Sequence, residues 1–230
     1  MSGIAWQRLG GVAGILFVAL FIANLFTPST PDVDDPSAGL AREIAEDRSG
    51  HVLSVYLDGL SLVAFLVFIA SLWALLRRAE PAPGPSLVAL LGGLALSTII
   101  LVSDGVYLAL VEAADEGREP AAIRALLELD SIIFIPAGFA LIALYAGIAL
   151  SAIPARSLPS WLGWSAAVFA VFFTVTLLGV FSDDEEGGPL GIAFFIGLLA
   201  QFLWVVAASV AMIRSAGKAS PRVAQRAVSA

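Results

Sequence analysis

Six long runs of apolar residues restrict the fold of this chain more than any other feature. They cover about residues 9–26, 51–76, 86–111, 131–153, 161–181 and 190–213. Each run is long enough to cross the roughly 30 Å hydrocarbon core of a bilayer as a helix. None alternates between apolar and polar residues, as the strands of a membrane barrel do. The sequence therefore predicts an all-α, polytopic membrane protein in which residues 1–214 form a bundle of six transmembrane helices.

The composition agrees with a membrane protein and excludes several kinds of site. Only 13% of the residues are charged, whereas a soluble domain carries about 25%. The absence of cysteine excludes disulfides, thiolate catalysis and Cys-ligated metals, and the single histidine excludes a multi-histidine metal site. No HExxH motif, phosphate-binding glycine loop or nucleophile elbow is present. We therefore expect no cofactor and no nucleic-acid partner, and enzymatic activity is not indicated.

The loops between the runs alternate in charge. Basic residues flank the start of the first run and the ends of the second, fourth and sixth, and acidic residues follow the first, third and fifth. The basic set is Arg8, Arg77, Arg78, Arg156 and Arg214. Because basic loops favour the cytoplasmic side, both termini are predicted to be cytoplasmic, and residues 215–230 to form a disordered basic tail. The first run is expected to remain as a span, because Asn24-Leu25-Phe26 offers no small-residue cleavage site.

Two outer loops carry the pattern of short amphipathic helices. Asp35-Pro36 and Glu119-Pro120 each place a proline where it favours the first turn of a helix. Apolar residues follow at helical spacing in both loops, and the set comprises Leu40, Ile44, Ala45, Ile123, Leu126 and Leu127. These segments are predicted to lie on the outer membrane surface, although capped linkers would show the same pattern.

Asp58 and Asp104 each lie within an apolar run, where a carboxylate costs about 2.5–3.5 kcal/mol even on lenient insertion scales. Asp58 is seven residues beyond His51, about 10 Å into the second run. Asp104 is eight residues before Glu112, about 12 Å from the end of the third. The two acids are therefore predicted at similar depth in the outer leaflet, and they share one site if these helices are neighbours.

Other polar residues are predicted to surround the two acids. His51, Ser54, Asp58 and Ser61 are spaced by three and four residues, so they lie on one face of a helix. The candidate site for a solute, a cation or a proton comprises Asp58, Asp104, Asp130, Asn24, Tyr107, Ser54, Ser61 and His51. In the alternative interpretation, these groups form hydrogen bonds with one another and hold the helices together. The identity of any bound metal is left open.

Three short stretches resemble an uncharacterised family of multi-pass bacterial membrane proteins. They are Val55-Tyr56-Leu57-Asp58-Gly59-Leu60, Leu127-Glu128-Leu129-Asp130 and Leu158-Pro159-Ser160-Trp161-Leu162-Gly163-Trp164. The resemblance implies six membrane spans and the cytoplasmic (inner) membrane of a bacterium. It implies no activity, because the family is known as a domain of unknown function. Asp58 and Asp130 lie within the matching stretches, and Asp104 lies outside them.

The sequence leaves two main hypotheses for function. In the first, an outward-facing polar pocket around Asp58 and Asp104 binds or transports a small solute, a cation or a proton. In the second, the protein is a non-catalytic accessory or scaffold subunit with a membrane-protein partner, and the acids serve helix packing. A lipid-active enzyme using the carboxylates as general acid and base is a weaker third hypothesis, since no nucleophile or metal set accompanies them. In every case the lipid bilayer is the surrounding partner.

Overall fold

A computed structural model of the chain describes residues 3–28, 37–80, 84–181 and 189–228, and every regular element in these ranges is helical. The helices are α1 (Gly3–Asn24), α2 (Ser37–Glu46), α3 (Arg48–Arg77), α4 (Pro85–Asp115), α5 (Pro120–Ile132), α6 (Phe134–Ala155), α7 (Ser160–Thr176) and α8 (Pro189–Val228). A 3₁₀ turn, Leu177–Phe181, continues α7. The prediction of an all-α chain is confirmed for the described residues.

Six helical segments in the described ranges are long and apolar enough to cross a membrane. They are α1, α3, α4, α5 with α6, α7 with its 3₁₀ turn, and α8 to Gly217. Large apolar side chains are exposed on their outer faces, among them Leu91, Phe139, Val168 and Leu203. Such faces suit lipid rather than water. The chain is therefore a multi-pass membrane protein, as predicted.

The helix ends form two groups, one at each end of the bundle. At what we call the basic end, the Gln7 amide donates hydrogen bonds to the Met212 carbonyl (3.1 Å) and the Ser215 hydroxyl (2.7 Å), which joins α1 to α8. At the opposite, acidic end, Arg48 of α3 forms an ion pair with Glu112 of α4 and lies 3.5 Å from Asp115. The N-terminus of α1 thus lies at the same end as the C-terminus of α8.

Close contact between α4 and α6 depends on glycine. A Cβ atom at Gly92 would lie 2.4 Å from the backbone nitrogen of Leu144, and one at Gly147 would lie 2.3 Å from that of Ala89. These two contacts bring backbone against backbone, which is how helices associate closely in a bilayer. Gly10 and Gly14 act similarly on α1, where added Cβ atoms would collide with Ser71 of α3 and with Ser209 of α8. These two glycines therefore let α1 approach α3 and α8 closely.

A cluster of buried apolar residues covers the acidic end of α4. Ile44 of α2 and Ile123 and Leu127 of α5 are buried against Leu110 and Val111. The predicted apolar faces of both short helices are therefore packed against the bundle. Their position on the outer membrane surface stays a prediction, and the proposed start at Asp35-Pro36 lies outside the described residues, as does the acidic turn Asp183–Glu186.

The connection between α3 and α4 holds together the two helices that carry the intramembrane acids. The Glu80 carboxylate accepts hydrogen bonds from the backbone N–H (3.0 Å) and the hydroxyl (2.6 Å) of Ser86, in the first turn of α4. Burial raises the pKa of Glu80, but hydrogen bonds from neighbouring serines outweigh this effect and hold it below its ordinary value. The charged carboxylate thus caps α4.

The last helix, α8, extends beyond residue 213, where the sixth predicted span ends. Its backbone is helical to Val228, whereas the sequence predicts a disordered tail from Ser215. Several alanines after Ser215 favour a continuing helix, whereas Gly217 and Pro221 disfavour it.

We predict that Gly147→Ala destabilises the bundle by about 1–3 kcal/mol, because the added methyl group overlaps the backbone of α4. Thermal unfolding in nanodiscs, followed by tryptophan fluorescence, measures the effect. Gly59→Ala is the matched control, since a Cβ there meets no atom within 4 Å. Equal unfolding temperatures for the two variants would contradict the close approach of α4 and α6.

Candidate functional site

A cavity of about 240 Å³ lies inside the bundle between α1, α3, α4, α6 and α8. Asp58 of α3 and Asp104 of α4 both line it, together with Ser61 and Ser103. The two acids therefore occupy one site, as expected if their helices are neighbours. Most of the remaining lining is apolar, which differs from the predicted polar pocket.

Helical periodicity places the lining residues of α3. Asp58, Ser61, Phe65 and Phe68 are separated by three or four residues, so all face the cavity. The Ser61 hydroxyl donates to the backbone carbonyl of Asp58 (2.8 Å) rather than to its carboxylate. The hydrogen of the Ser61 hydroxyl is therefore used within α3. The carboxylate of Asp58 must find its hydrogen-bond donors elsewhere.

Asn24, at the end of α1, is within hydrogen-bonding reach of Asp58. The Thr27 hydroxyl lies 2.6 Å from the Asn24 backbone carbonyl, to which it donates, and 2.9 Å from Asn24 Oδ1. Because an amide oxygen only accepts, the NH₂ group of Asn24 is the part that can donate to the Asp58 carboxylate. Thr27 is an additional residue next to Asn24.

Asp104 has the least compensated carboxylate of the cavity. It lies near enough to both Asp58 and Asp130 for their charges to interact. Its Oδ2 atom is shielded from solvent and has no hydrogen-bond partner among the described residues. A buried polar oxygen without a partner is costly, and a charged one more so. Asp104 therefore favours either a protonated state or a bound positive charge.

Asp130 is connected to the cavity through Ser103. The Ser103 hydroxyl donates to the Asp130 carboxylate at 2.5 Å, and both side chains are buried. Ser103 lines the cavity, whereas Asp130 does not. This contact joins α4 to the segment α5–α6 and gives Asp130 a partner that Asp104 lacks.

His51 and Tyr107 form a separate pair. His51 Nδ1 and the Tyr107 hydroxyl are 2.6 Å apart and share a hydrogen bond between α3 and α4. Both side chains are buried, and neither lines the cavity. Ser54 is half-buried and also lies outside the lining. Of the eight predicted residues, Asp58, Asp104 and Ser61 line the cavity, and Asn24 and Asp130 lie beside the acids without lining it. The remaining three lie apart.

Aromatic rings form much of the rest of the cavity wall. Phe17 of α1 lies between Phe65 and Phe202, with ring centroids at 4.9 and 5.5 Å. Tyr145 of α6 contacts Trp204 of α8 edge to face at 5.4 Å. Trp204 is held by a hydrogen bond of 3.1 Å from its ring N–H to the Leu162 carbonyl of α7. These contacts fix the ring positions that shape the apolar part of the cavity.

The described residues contain no group of three or more His, Cys, Asp or Glu side chains placed to hold a metal ion. Asp58, Asp104 and Asp130 come near one another without converging on a common point. The arrangement suits a proton or a cation that needs few ligands.

Comparison with known proteins identifies the family. A family model described as a domain of unknown function, DUF4386, matches residues 12–218. The chain belongs to the DUF4386 family. This confirms the predicted resemblance and extends it over all six spans, including Asp104. Comparisons with curated proteins and with solved structures found no match.

Sequence reasoning missed several residues of the site. Ser103 is adjacent to Asp104, and Thr27 is three residues after Asn24, so proximity in sequence was an available signal for both. The rings of Phe17, Phe65 and Phe202 were not separable from lipid-facing rings, because five of the six runs carry phenylalanine.

We predict that Ser103→Ala lowers stability by about 1–3 kcal/mol, because the buried Asp130 carboxylate loses its hydroxyl donor. Ser131→Ala, on the neighbouring segment, is the control, since its exposed hydroxyl bonds only to the Glu128 carbonyl. Unfolding in nanodiscs compares the two. The double variant Ser103→Ala/Asp130→Asn should lose less stability than the sum of the losses in the two single variants. Losses that are strictly additive would contradict the pairing of Ser103 with Asp130.

Proposed function

We propose that this protein binds a small cationic solute or a proton between Asp58 and Asp104, as a solute-binding or transport protein of the membrane. The observation that carries the proposal is the shared cavity, into which two helices each contribute one carboxylate. Intramembrane ionisable residues that face a cavity mark ion or substrate sites by default. The described lining contains no Lys, Arg or His to neutralise them.

The state of Asp104 supports a site that takes up positive charge. Its unpaired Oδ2 atom lies close to two further carboxylates, and Asp58 faces it across the same cavity. Like charges in a low dielectric repel, so one of the two carboxyl groups holds a proton unless a bound cation offsets the charge of both. Uptake of a cation by this pair is therefore coupled to release of a proton from it.

We further propose that the basic end of the bundle faces the cytoplasm of a bacterium and that both termini lie inside. The charge alternation of the loops supports this orientation, because Arg77, Arg78, Arg156 and Arg214 follow spans that end there. The acidic pair then lies in the outer half of the inner membrane. Helices α2 and α5 cover the outer surface beside it.

Cysteine labelling tests this orientation, since the natural chain contains no cysteine. Glu119→Cys lies between α4 and α5, and Ser160→Cys lies at the start of α7; both positions are exposed. In intact cells with a permeable outer membrane, a membrane-impermeant maleimide should label Glu119→Cys only. Ser160→Cys should become labelled after the inner membrane is lysed. The reverse order would contradict the orientation.

The binding site is tested with n-butylammonium as the probe, on protein in nanodiscs, by equilibrium dialysis corrected for empty nanodiscs. We expect saturable binding that Asp104→Asn and Asp58→Asn each weaken at least about 10-fold, as loss of one charged contact of about 1.4 kcal/mol predicts. Both variants should keep the unfolding temperature of the natural protein or exceed it, because an uncompensated charge is removed.

Asp47→Asn is the matched control for the binding experiment. Asp47 is an exposed carboxylate next to the start of α3, makes no capping hydrogen bond and does not line the cavity. The control should bind the probe as the natural protein does. Binding that survives both cavity substitutions, together with an unchanged pH response in proteoliposomes, would rule out the acidic pair as the site.

An accessory role in a larger membrane complex is the second candidate. The observation in its favour is that Asp130, His51 and Tyr107 are closed in hydrogen bonds between helices, as packing residues are. Co-purification of a membrane protein in fixed stoichiometry would support this role. A monodisperse protein that binds the amine with dependence on Asp104 would contradict it.

A further inference from the structure

We infer that the ligand of the cavity is an amphiphilic organic cation, with a protonated nitrogen at the Asp58/Asp104 pair and an unbranched or ring-bearing apolar tail along the aromatic wall. This inference rests on the proposed function and specifies the class of solute. It follows from how polar and apolar groups are distributed along the cavity, from its dimensions and from the ligands it offers.

The acidic groups of the cavity lie toward one end, and the amide of Gln201 on α8 is a further polar group of the lining. Asp58, Ser61, Ser103 and Asp104 all lie toward the acidic end of the bundle. Phe68 lies ten residues beyond Asp58 on α3, about 15 Å deeper along the helix. The deeper part is lined mainly by apolar and aromatic residues, which include Phe68, Leu144, Tyr145, Ile148, Trp204 and Val205. Such a cavity matches a molecule that has one charged end.

The wall next to the acids is aromatic as well as apolar. Phe17, Phe65, Phe21 and Phe202 line the cavity, and the rings of Phe21 and Phe202 are stacked with centroids 4.0 Å apart. Aromatic faces attract organic cations and also accept alkyl chains. An inorganic ion gains nothing from this wall, because it needs a shell of oxygen ligands instead.

The oxygen ligands that an inorganic cation requires are too few. Ca²⁺ takes six to eight oxygens and Mg²⁺ takes six, whereas the described residues hold no cluster of three acidic or histidine side chains that could bind a metal. An alkylammonium group needs only two or three hydrogen-bond acceptors. Asp58 and Asp104 supply these, and the unpaired Oδ2 of Asp104 is available for one of them.

The size of the cavity restricts the ligand further. A volume of about 240 Å³ is below the roughly 300–1,000 Å³ of sites for drug-sized ligands. The lining extends about 15 Å along the helices. Because the volume is small for this length, the cavity is narrow. The dimensions of the cavity therefore favour one slender molecule.

A homologous series tests the inference. The probes are n-alkylammonium chlorides from ethyl to octyl, with n-alkanols of equal length as uncharged controls. Dissociation constants are measured by equilibrium dialysis against protein in nanodiscs and expressed as free aqueous concentration. We expect each added methylene to tighten binding by up to about 4-fold until the cavity is filled. The alkanols should bind at least about 10-fold more weakly than the amines.

Substitutions at the two ends of the cavity should act differently. Asp104→Asn should weaken every amine by a similar factor. Val205→Phe, at the deep end, should leave the dissociation constants of ethyl- and propylammonium unchanged. The tightening of binding with each added methylene should stop at a shorter chain than in the natural protein. Val205→Leu should act in the same direction with less disturbance of packing. Leu203→Phe is the matched control, because Leu203 is 74% exposed on the outer face of the same helix. It should leave the whole series unchanged.

The failures of the two proposals are distinguishable. Amine binding that depends on Asp104 but is equal for all chain lengths would overturn the amphiphilic ligand and leave the cation site in place. The same conclusion would follow if both Val205 variants kept the full chain-length gain. Absence of binding for every amine, or alkanols that bind as tightly as amines with no effect of Asp104→Asn, would overturn the cation site itself.

Discussion

A bilayer offers no water to satisfy peptide groups, and this constraint underlies the whole architecture. Every backbone N–H and C=O group within the hydrocarbon must find its partner inside the segment, so each apolar run is a helix. Hydrophobic burial cannot then join the helices, since lipid is as apolar as the side chains. Close approach does so instead, at positions such as Gly92 and Gly147, where backbones of α4 and α6 meet without intervening side chains.

The cavity is an exception to this close packing. Large rings line it where small residues would have let the helices meet, and Phe17, Phe65 and Phe202 are fixed by contacts with one another. Two carboxylates face the space that is left. The bundle therefore keeps a charged, incompletely packed interior that costs stability, which is the usual mark of a site retained for binding rather than for folding.

The acids of the bundle differ in what their surroundings provide. Asp130 has the hydroxyl of Ser103, and Asp58 has the amide of Asn24 within reach, whereas one oxygen of Asp104 has no partner in the described part of the chain. From the sequence alone, all three acids were candidates for one site, because all three lie in or beside apolar runs. Their different roles depend on which neighbour each side chain meets. Asp130 is thus hydrogen-bonded between helices, and Asp104 is the residue on which the proposed cation site depends.

The sequence by itself determined the number of spans, their approximate limits and the similar depth of Asp58 and Asp104, because these follow from run length and helical rise. Only the tertiary structure decided that His51 pairs with Tyr107 away from the cavity, that Ser103 binds Asp130, and that the site is largely aromatic. Periodicity shows that residues share a face of one helix, but the residue that faces them belongs to another helix. That pairing depends on the rotation and crossing of helices, which local sequence does not encode.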